Sequence, residues 1–267
     1  MNEAPIGIFD SGVGGLTVAR SVLDQLPNEE IIYIGDTAHV PYGTKSLDLV
    51  RRYALDVMDN LVSRGVKMLV IACNTASAAV LHDARERYDI PVVEVIGPAA
   101  RTAAAVTRNK RVGVIATDAT VRSQAYPDVL AAVPGLQVFQ QGCPDFVELV
   151  ESGITSGPKA LEAAQRYLAP IKAEGIDTLV LGCTHYPHLQ GVISYVMGDD
   201  VALVSSSDET AKDIYRILAS RNAFRPLDQP APKHQFSTTG PSESFASLTS
   251  RFIGPTINVT TMGDQCD

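Results

Sequence analysis

The sequence predicts an α/β fold of two similar, doubly wound parallel-sheet domains. Three observations lead to this prediction. Short apolar runs alternate with amphipathic stretches of helical spacing, which is typical of a parallel sheet with helices on both faces. The apolar runs end abruptly in polar residues, as buried parallel strands do where they open into loops. The pattern then restarts in the middle of the chain, which indicates an internal duplication.

The first half of the chain contains the first predicted unit. Its strands are Ile6–Phe9, Ile31–Ile34, Met68–Ala72 and Val92–Val95. Its helices are Leu16–Leu26, Leu47–Arg64 and Ala76–Arg87. The second of these helices has apolar residues at helical spacing, with Ser46 as its N-cap and Gly65 as its stop.

The second half repeats this alternation. Its predicted strands are Arg111–Ala116, Val138–Gln140, Thr178–Gly182 and Val201–Val204. Pro158 opens a helix that Gly175 closes, and Ser206 with Glu209 forms a capping-box pattern at the start of a further helix. The stretch from His234 to Val259 is predicted as strand, helix and strand. It is too short to bury a core alone, so we expect it to pack back on the first unit.

Two landmarks support the duplication. The segment RVGVIA at 111–116 resembles PIGIFD at 5–10, an offset of 106 residues, and Cys73 and Cys183 are 110 residues apart. Strand similarity alone is weak evidence, because any two α/β units share apolar strands followed by small residues. The matched cysteines strengthen it. The predicted domains are residues 1–96 plus 207–267, and residues 97–206.

The composition argues against several functional classes. The formal net charge of the 267 residues is −8, so no basic surface for direct nucleic-acid binding is expected. The chain shows no signal-peptide pattern and no apolar run that could span a bilayer, which predicts a soluble cytoplasmic protein without membrane contact. Its cysteines are scattered and form no CxxC pair, so reduced thiols are expected. They are Cys73, Cys143, Cys183 and Cys266.

Cys73 and Cys183 are the strongest candidate functional residues. Each follows an apolar run and a small residue, so each lies where a predicted strand ends. In open α/β sheets, ligands bind at the carboxyl ends of the strands. A lone cysteine at a strand end is usually a small buried hydrophobe, and we expect Cys143 only to fill space. Two cysteines at equivalent ends of two similar units instead indicate acid–base chemistry from opposite sides of one substrate.

Polar neighbours could tune these two thiols. A position at the start of a helix can lower the pKa of a thiol and expose a thiolate. His185, two residues after Cys183, is a candidate proton partner for that cysteine, and Asp10 is the candidate partner of Cys73. His185 with His188 is too thin a basis for a metal site, so we predict none.

Further candidates lie in the predicted loops. Asp10 and Ser11 precede a glycine-rich turn, Gly12–Gly15, whose backbone N–H groups could bind an anion. A tight turn that merely needs glycine explains this pattern equally well. Asp36 follows the second strand, and Glu151 follows a helix-like stretch. An ordinary solvated position is the commoner outcome for each of these two residues taken alone.

At these positions the chain resembles the glutamate racemases of the cofactor-independent aspartate/glutamate racemase superfamily. The motifs, in chain order, are IGIFDSGVGGLTV (Ile6–Val18), YIGDTAHVPYG (Tyr33–Gly43), ACNTASA (Ala72–Ala78), GVIATDATV (Gly113–Val121) and LGCTHYPHL (Leu181–Leu189). Together these motifs are highly specific. The segment after about Pro226 is weakly diagnostic.

The resemblance implies interconversion of L-glutamate and D-glutamate without a cofactor, which supplies D-glutamate for peptidoglycan in a bacterial cytoplasm. It implies that the two α/β domains face each other across a cleft that holds the substrate. It implies that Cys73 takes the α-proton of the D-enantiomer and Cys183 that of the L-enantiomer. The implied supporting acid–base positions are Asp10, Asp36, Glu151 and His185. The positions implied to hold the amino acid are Asp10, Ser11, Tyr42, Gly43, Asn74, Thr75, Thr117, Thr184 and His185.

Two alternatives stay open at this point. An aspartate racemase of the same superfamily would share these motifs and differ in the length of its substrate. A non-catalytic amino-acid-binding protein of two α/β lobes would need the cleft but not both thiols. The resemblance also implies a homodimer. Some glutamate racemases are reported to bind DNA gyrase, and nothing in this acidic sequence speaks for or against that second role.

Overall fold

The computed structural model describes residues 2–254 and 259–262, and strands alternate with helices along them. The strands are β1 (Ile6–Asp10), β2 (Ile31–Gly35), β3 (Met68–Ile71), β4 (Val92–Glu94), β5 (Arg111–Ala116), β6 (Gln137–Gly142), β7 (Thr178–Gly182), β8 (Ala202–Ser205), β9 (Gln235–Thr238) and β10 (Val259–Thr261). The helices are α1 (Leu16–Gln25), α2 (Leu47–Ser63), α3 (Asn74–Arg87), α4 (Ile96–Val106), α5 (Asp118–Ser123), α6 (Ala125–Leu130), α7 (Asp145–Glu151), α8 (Gly157–Ala173), α9 (Gln190–Met197), α10 (Ser206–Ser220) and α11 (Ser242–Phe252).

The described strands form two separate sheets in which every pairing is parallel. One sheet has the order β10-β9-β2-β1-β3-β4 and the other the order β6-β5-β7-β8. We call each sheet with its helices the first and the second unit. The order β2-β1-β3-β4 of the first unit recurs as β6-β5-β7-β8, so Cys73 and Cys183 both follow the third strand of their unit. The predicted class of two parallel α/β domains is confirmed.

Helices cover both faces of each sheet. In the first unit, alternate residues of β1 pack on opposite sides: Ile6 and Ile8 face α1 and α10, whereas Phe9 faces α2 and α3. In the second unit, Val112 and Val114 pack with α4 and α6, and other strand residues pack with α7, α8 and α9. Since burial of such a side chain is worth about 2 kcal/mol, these four apolar layers hold the strand ends in fixed positions.

The end of the described chain returns to the first sheet, as the sequence predicts. Strand β9 pairs with β2, and β10 pairs with β9. Helix α10 packs Ala211, Ile214 and Leu218 into the core of the first unit, and α4 packs into the core of the second. The domain boundaries at residues 96 and 207 stay a prediction.

The capping box predicted for α10 is wrong. The N-cap position is Ser205, and no side chain caps the helix there. The Ser206 hydroxyl instead donates to the carbonyl of Leu181, at 3.2 Å. Glu209 accepts hydrogen bonds from Thr102 and from Lys212. The contacts of Ser206 with Leu181 and of Glu209 with Thr102 therefore join elements that are distant in sequence, and these contacts outweigh the local capping pattern.

Among the described residues, none of the helices has the length and apolar character that a membrane span requires.

Candidate active site

A cavity of about 400 Å³ lies where the strands of the two sheets end, and both units contribute to its wall. The lining residues that the sequence singled out are Ser11, Tyr42, Gly43, Cys73, Asn74, Thr75, Thr117, Glu151, Cys183, Thr184 and His185. The remaining lining residues are Gly12, Val40, Pro41, Thr44, Asp118, Pro144, Val147, Glu148 and Ser152. Asp10 and Asp36 are not among the lining residues. The cavity thus brings both cysteines and most of their predicted neighbours together.

Cys73 occupies the N-cap position of α3, two residues after the end of β3. The residue is 6% exposed, and its Sγ accepts the backbone N–H of Ala76 at 3.4 Å. Burial, together with the negative charge of Asp10, raises the pKa of the thiol to about 12, although hydrogen bonds from Ser11 and Ala76 oppose the shift. Cys73 is therefore a protonated thiol at neutral pH.

The nearest charged group to Cys183 is an imidazole, whereas the nearest to Cys73 is a carboxyl. Its Sγ lies 3.8 Å from Nδ1 of His185, and Nε2 of the same ring lies 3.1 Å from Oε1 of Glu151. Burial alone would lower the pKa of His185, but hydrogen bonds to Cys183 and Glu151 outweigh it and raise the pKa to about 10. The imidazole is therefore charged at neutral pH and lies within contact distance of the Cys183 thiol.

Asp10 lies behind the cavity wall, at the end of β1. Its side chain is 1% exposed, and its Oδ2 accepts the backbone N–H of Gly12 at 2.8 Å. The other oxygen, Oδ1, is buried without a hydrogen-bond partner among the described residues. Burial raises the pKa of Asp10 above its usual value, and backbone N–H groups oppose part of that shift. Asp10 therefore takes up a proton more readily than an exposed carboxyl would.

Asp36 is also buried behind the cavity, where it holds other side chains. It accepts hydrogen bonds from the hydroxyl of Tyr42 at 2.6 Å and from the hydroxyl of Thr239 at 2.6 Å. The Nδ1 of His39 lies 2.9 Å from the same carboxylate. The structure thus places Asp36 one side chain away from the cavity, and it reaches the cavity through Tyr42.

Hydroxyl and amide groups form the wall next to Cys73. Thr75 and Thr117, from different units, have their Oγ1 atoms 2.9 Å apart. Thr120, which sequence reasoning missed, lies 3.2 Å from Thr75 and 3.0 Å from Thr117. Its position three residues after Thr117 at a helix start was the available signal. A cluster of hydroxyls at this point can donate to a carboxylate.

The glycine-rich turn serves close packing between the units. The sequence left open whether it binds an anion or forms a tight turn. A Cβ atom at Gly14 would lie 2.3 Å from Oγ1 of Thr184 and 2.5 Å from Nδ1 of His185. Next to it, Thr17 donates to the backbone carbonyl of Thr184 at 3.0 Å. Because Gly14 has no side chain, the first unit can pack closely against the segment that follows Cys183.

The other cysteines and histidines have local explanations. Cys143 is fully buried, and its Sγ lies 3.8 Å from the carbonyl of Gln141. His188 stacks on Phe252, with ring centroids 4.3 Å apart. Cys266 lies outside the described residues. Within those residues, no group of three or more His, Cys, Asp or Glu side chains could hold a metal ion.

Replacing His185 by Asn is expected to change how stability depends on pH. Because folding raises the pKa of His185 from 6.5 to about 10, its charge stabilises the folded chain fully below pH 6.5 and loses this effect as the pH rises toward 10. Urea unfolding should therefore show the largest loss of stability in His185→Asn near about pH 6, and a smaller loss at each higher pH.

His82→Asn is the matched control for this measurement, because His82 is exposed on α3 and its ion-pair partner among the described residues is Glu86. It should leave the pH dependence of unfolding unchanged. A loss of stability in His185→Asn that stays constant or grows with pH would show that His185 is uncharged in the folded chain.

The comparisons with known proteins agree with this geometry. Residues 7–214 match the family model described as Asp/Glu/Hydantoin racemase. A glutamate racemase of Acidothermus cellulolyticus is 59% identical over 263 residues, which cover 98% of this chain and 100% of that protein. The crystal structure of a glutamate racemase isoform from Bacillus anthracis superposes with a TM-score of 0.91 at 39% identity, covering 98% of both chains. A glutamate racemase from Francisella tularensis, crystallised with D-glutamate, gives a TM-score of 0.90 at 34% identity over 97% of this chain and 98% of that one.

The matched region spans the strands that carry both cysteines and the cavity between them, so the fold and the site define an isomerase of the racemase class. More particularly, the chain belongs to the Asp/Glu/Hydantoin racemase family.

Proposed function

We propose that this chain interconverts L-glutamate and D-glutamate by a two-base proton transfer. The observation that carries the proposal is that Cys73 and Cys183, from equivalent strand ends of the two units, line one cavity. A substrate held between the two thiols can lose its α-proton on one face and gain a proton on the other. The result is inversion at the α-carbon.

The size of the cavity and the nature of the relatives support glutamate as the substrate. A volume of about 400 Å³ falls in the range of small-molecule sites, about 300–1,000 Å³. The relatives from Acidothermus, Bacillus and Francisella are all glutamate racemases. On this proposal no cofactor takes part, so preorganised donors must stabilise the charge that develops on the substrate. The amide of Asn74 and the hydroxyls of Thr75 and Thr117 are the donors that we assign to this task.

The forward direction starts with the removal of a proton from L-glutamate. Burial raises the pKa of Cys73 to about 12, so its thiol keeps its proton and can act as the acid. Cys183, whose Sγ lies 3.8 Å from Nδ1 of His185, is the thiol that we assign as the base. Cys183 would take the α-proton, and Cys73 would deliver its own proton to the opposite face to give D-glutamate.

The reverse reaction needs the opposite protonation states. Turnover of L-glutamate leaves Cys73 as a thiolate and Cys183 as a thiol, which is the state that D-glutamate requires. Because burial raises its pKa, Asp10 can take up a proton readily. Once Asp10 is neutral, its charge no longer opposes a thiolate at Cys73. His185 with Glu151 can exchange a proton with Cys183 in the same way. We assign Asp36 a supporting role through Tyr42.

Circular dichroism of pure L-glutamate and pure D-glutamate, with the purified chain and no added cofactor, tests the proposal. Both signals should decay to the same racemic endpoint. If neither signal changes while the chain is folded and its thiols are reduced, glutamate is not the substrate. A decay seen only with aspartate would identify the sibling activity. Glutamate binding without turnover by the unaltered chain, which persists when either cysteine is replaced, would identify a binding protein.

We propose the bacterial cytoplasm as the setting, with D-glutamate used for peptidoglycan, and a homodimer as the assembly. The support for both is the relationship to the glutamate racemases. Light scattering should give a mass of about twice the 28.5 kDa of one chain. A mass equal to one chain at working concentration would contradict the homodimer.

A further inference from the structure

Asn74 has an unusual hydrogen-bond inventory for a buried side chain. It is the first residue of α3, it lines the cavity next to Cys73, and it is 3% exposed. Its carbonyl oxygen, Oδ1, accepts a hydrogen bond at 2.8 Å. Its amide nitrogen, Nδ2, has no partner among the described residues. Because an unpaired buried donor is costly, this amide group points to a ligand that would accept its hydrogen bonds.

The partner of the carbonyl oxygen is Tyr126 of the second unit. Tyr126 lies on α6 and is fully buried. Its ring packs against the strand end that precedes Cys183, since a Cβ atom at Gly182 would lie 3.0 Å from Cε2 of the ring. Burial raises the pKa of Tyr126 well above its ordinary value, so the hydroxyl keeps its proton and can donate it.

This bond decides which way the amide of Asn74 faces. A rotated amide would direct its N–H groups to the Tyr126 oxygen and leave the buried tyrosine hydrogen without its acceptor. The observed orientation satisfies that hydrogen and leaves the N–H donors free. A carboxylate carries only acceptors, so it is bound by the observed orientation and repelled by the rotated one.

We propose that Tyr126 is a positioning residue, whose hydroxyl fixes the Asn74 amide so that its N–H groups meet a carboxylate of the substrate. The proposal rests on the proposed function, because it takes glutamate as the ligand. It also links the two units, since the donor belongs to the second unit and the oriented amide to the first. Substrate binding at Asn74 would then depend on the units keeping their relative position.

Tyr126→Phe tests the proposal, because the ring is kept and only the hydroxyl is lost. We expect KM for glutamate to rise about tenfold, since hydrogen bonds to charged groups are worth about that factor, with a smaller change in kcat. Tyr88→Phe is the matched control. It removes a hydroxyl that donates to Asp59 at 2.7 Å, away from the cavity, and should leave KM unchanged.

A double-mutant cycle with Asn74→Ala separates positioning from a general structural effect. If Tyr126 acts through Asn74, then Tyr126→Phe will have little further effect on KM in the Asn74→Ala background. Effects that simply add, or an unchanged KM in Tyr126→Phe, overturn the role of Tyr126. A wild-type chain that does not racemise glutamate overturns the proposed function itself, and this proposal with it. Thermal unfolding of each variant checks that the fold is kept.

Discussion

Replacing either Cys73 or Cys183 by Ala is expected to abolish racemisation in both directions and to leave the fold intact. Each thiol acts as base on one face of the substrate and as acid in the opposite reaction, so the loss of one thiol interrupts both directions. A positioned acid or base contributes about 10²–10⁴ in rate, and we expect kcat to fall by at least about a thousandfold. Circular dichroism of each glutamate enantiomer measures the effect.

Cys143→Ala is the control for this pair. Cys143 is as fully buried as a core residue and does not line the cavity, so its loss should cost some stability and leave the rate unchanged. Unfolding in urea is the measurement that checks whether all three variants are folded. If Cys73→Ala or Cys183→Ala still racemised glutamate at nearly the wild-type rate, the two-base mechanism would be contradicted.

The two cysteines could be predicted because their setting is local in the sequence. Strands β3 and β7 are covered by helices on both faces, so their residues form uninterrupted apolar runs. Such a run ends where the strand leaves the core, and the next residue is delivered to the carboxyl edge of the sheet. Cys73 and Cys183 follow these runs directly. The same reasoning predicts the two-unit fold from the alternation of strands and helices.

The contacts that tune the site could not be predicted in this way. The hydroxyl of Tyr126 reaches Asn74 across 52 positions of sequence, and Glu151 reaches His185 across 34. Periodicity reports that a residue is buried, but it does not report which distant element it meets. For the same reason the sequence did not distinguish Asp36, which is buried behind Tyr42, from a residue in the cavity wall.

The repeated fold carries unlike chemistry at its two equivalent positions. Cys73 has a buried carboxyl, Asp10, as its nearby charge, whereas Cys183 has a charged imidazole, His185. An identical pair of surroundings would favour the same protonation state at both thiols. Two-base chemistry needs one acid and one base at any moment. The unlike partners therefore supply a difference that the shared strand order alone does not provide.

The second large effect is expected for Gly14→Ala. A methyl group at this position would lie 2.3 Å from Oγ1 of Thr184 and 2.5 Å from Nδ1 of His185, distances that no folded chain sustains. The side chains of Thr184 and His185, or the segment that carries them, must then shift. A misplacement of about 1 Å in a catalytic group can cost about a hundredfold in rate, and we expect at least this loss in kcat/KM for glutamate.

Gly191→Ala is the matched control, because Gly191 lies in α9 and a Cβ atom there meets nothing within 4 Å in the described part of the chain outside its own helical turn. Alanine favours a helix over glycine by about 1 kcal/mol, so this variant should keep its rate and gain stability. Measuring the thermal unfolding and the racemisation rate of both variants tests these two expectations. A Gly14→Ala variant with wild-type kcat and KM would mean that the segment after Cys183 tolerates displacement. In that event the close contact between the units would not be what sets the geometry of the catalytic pair.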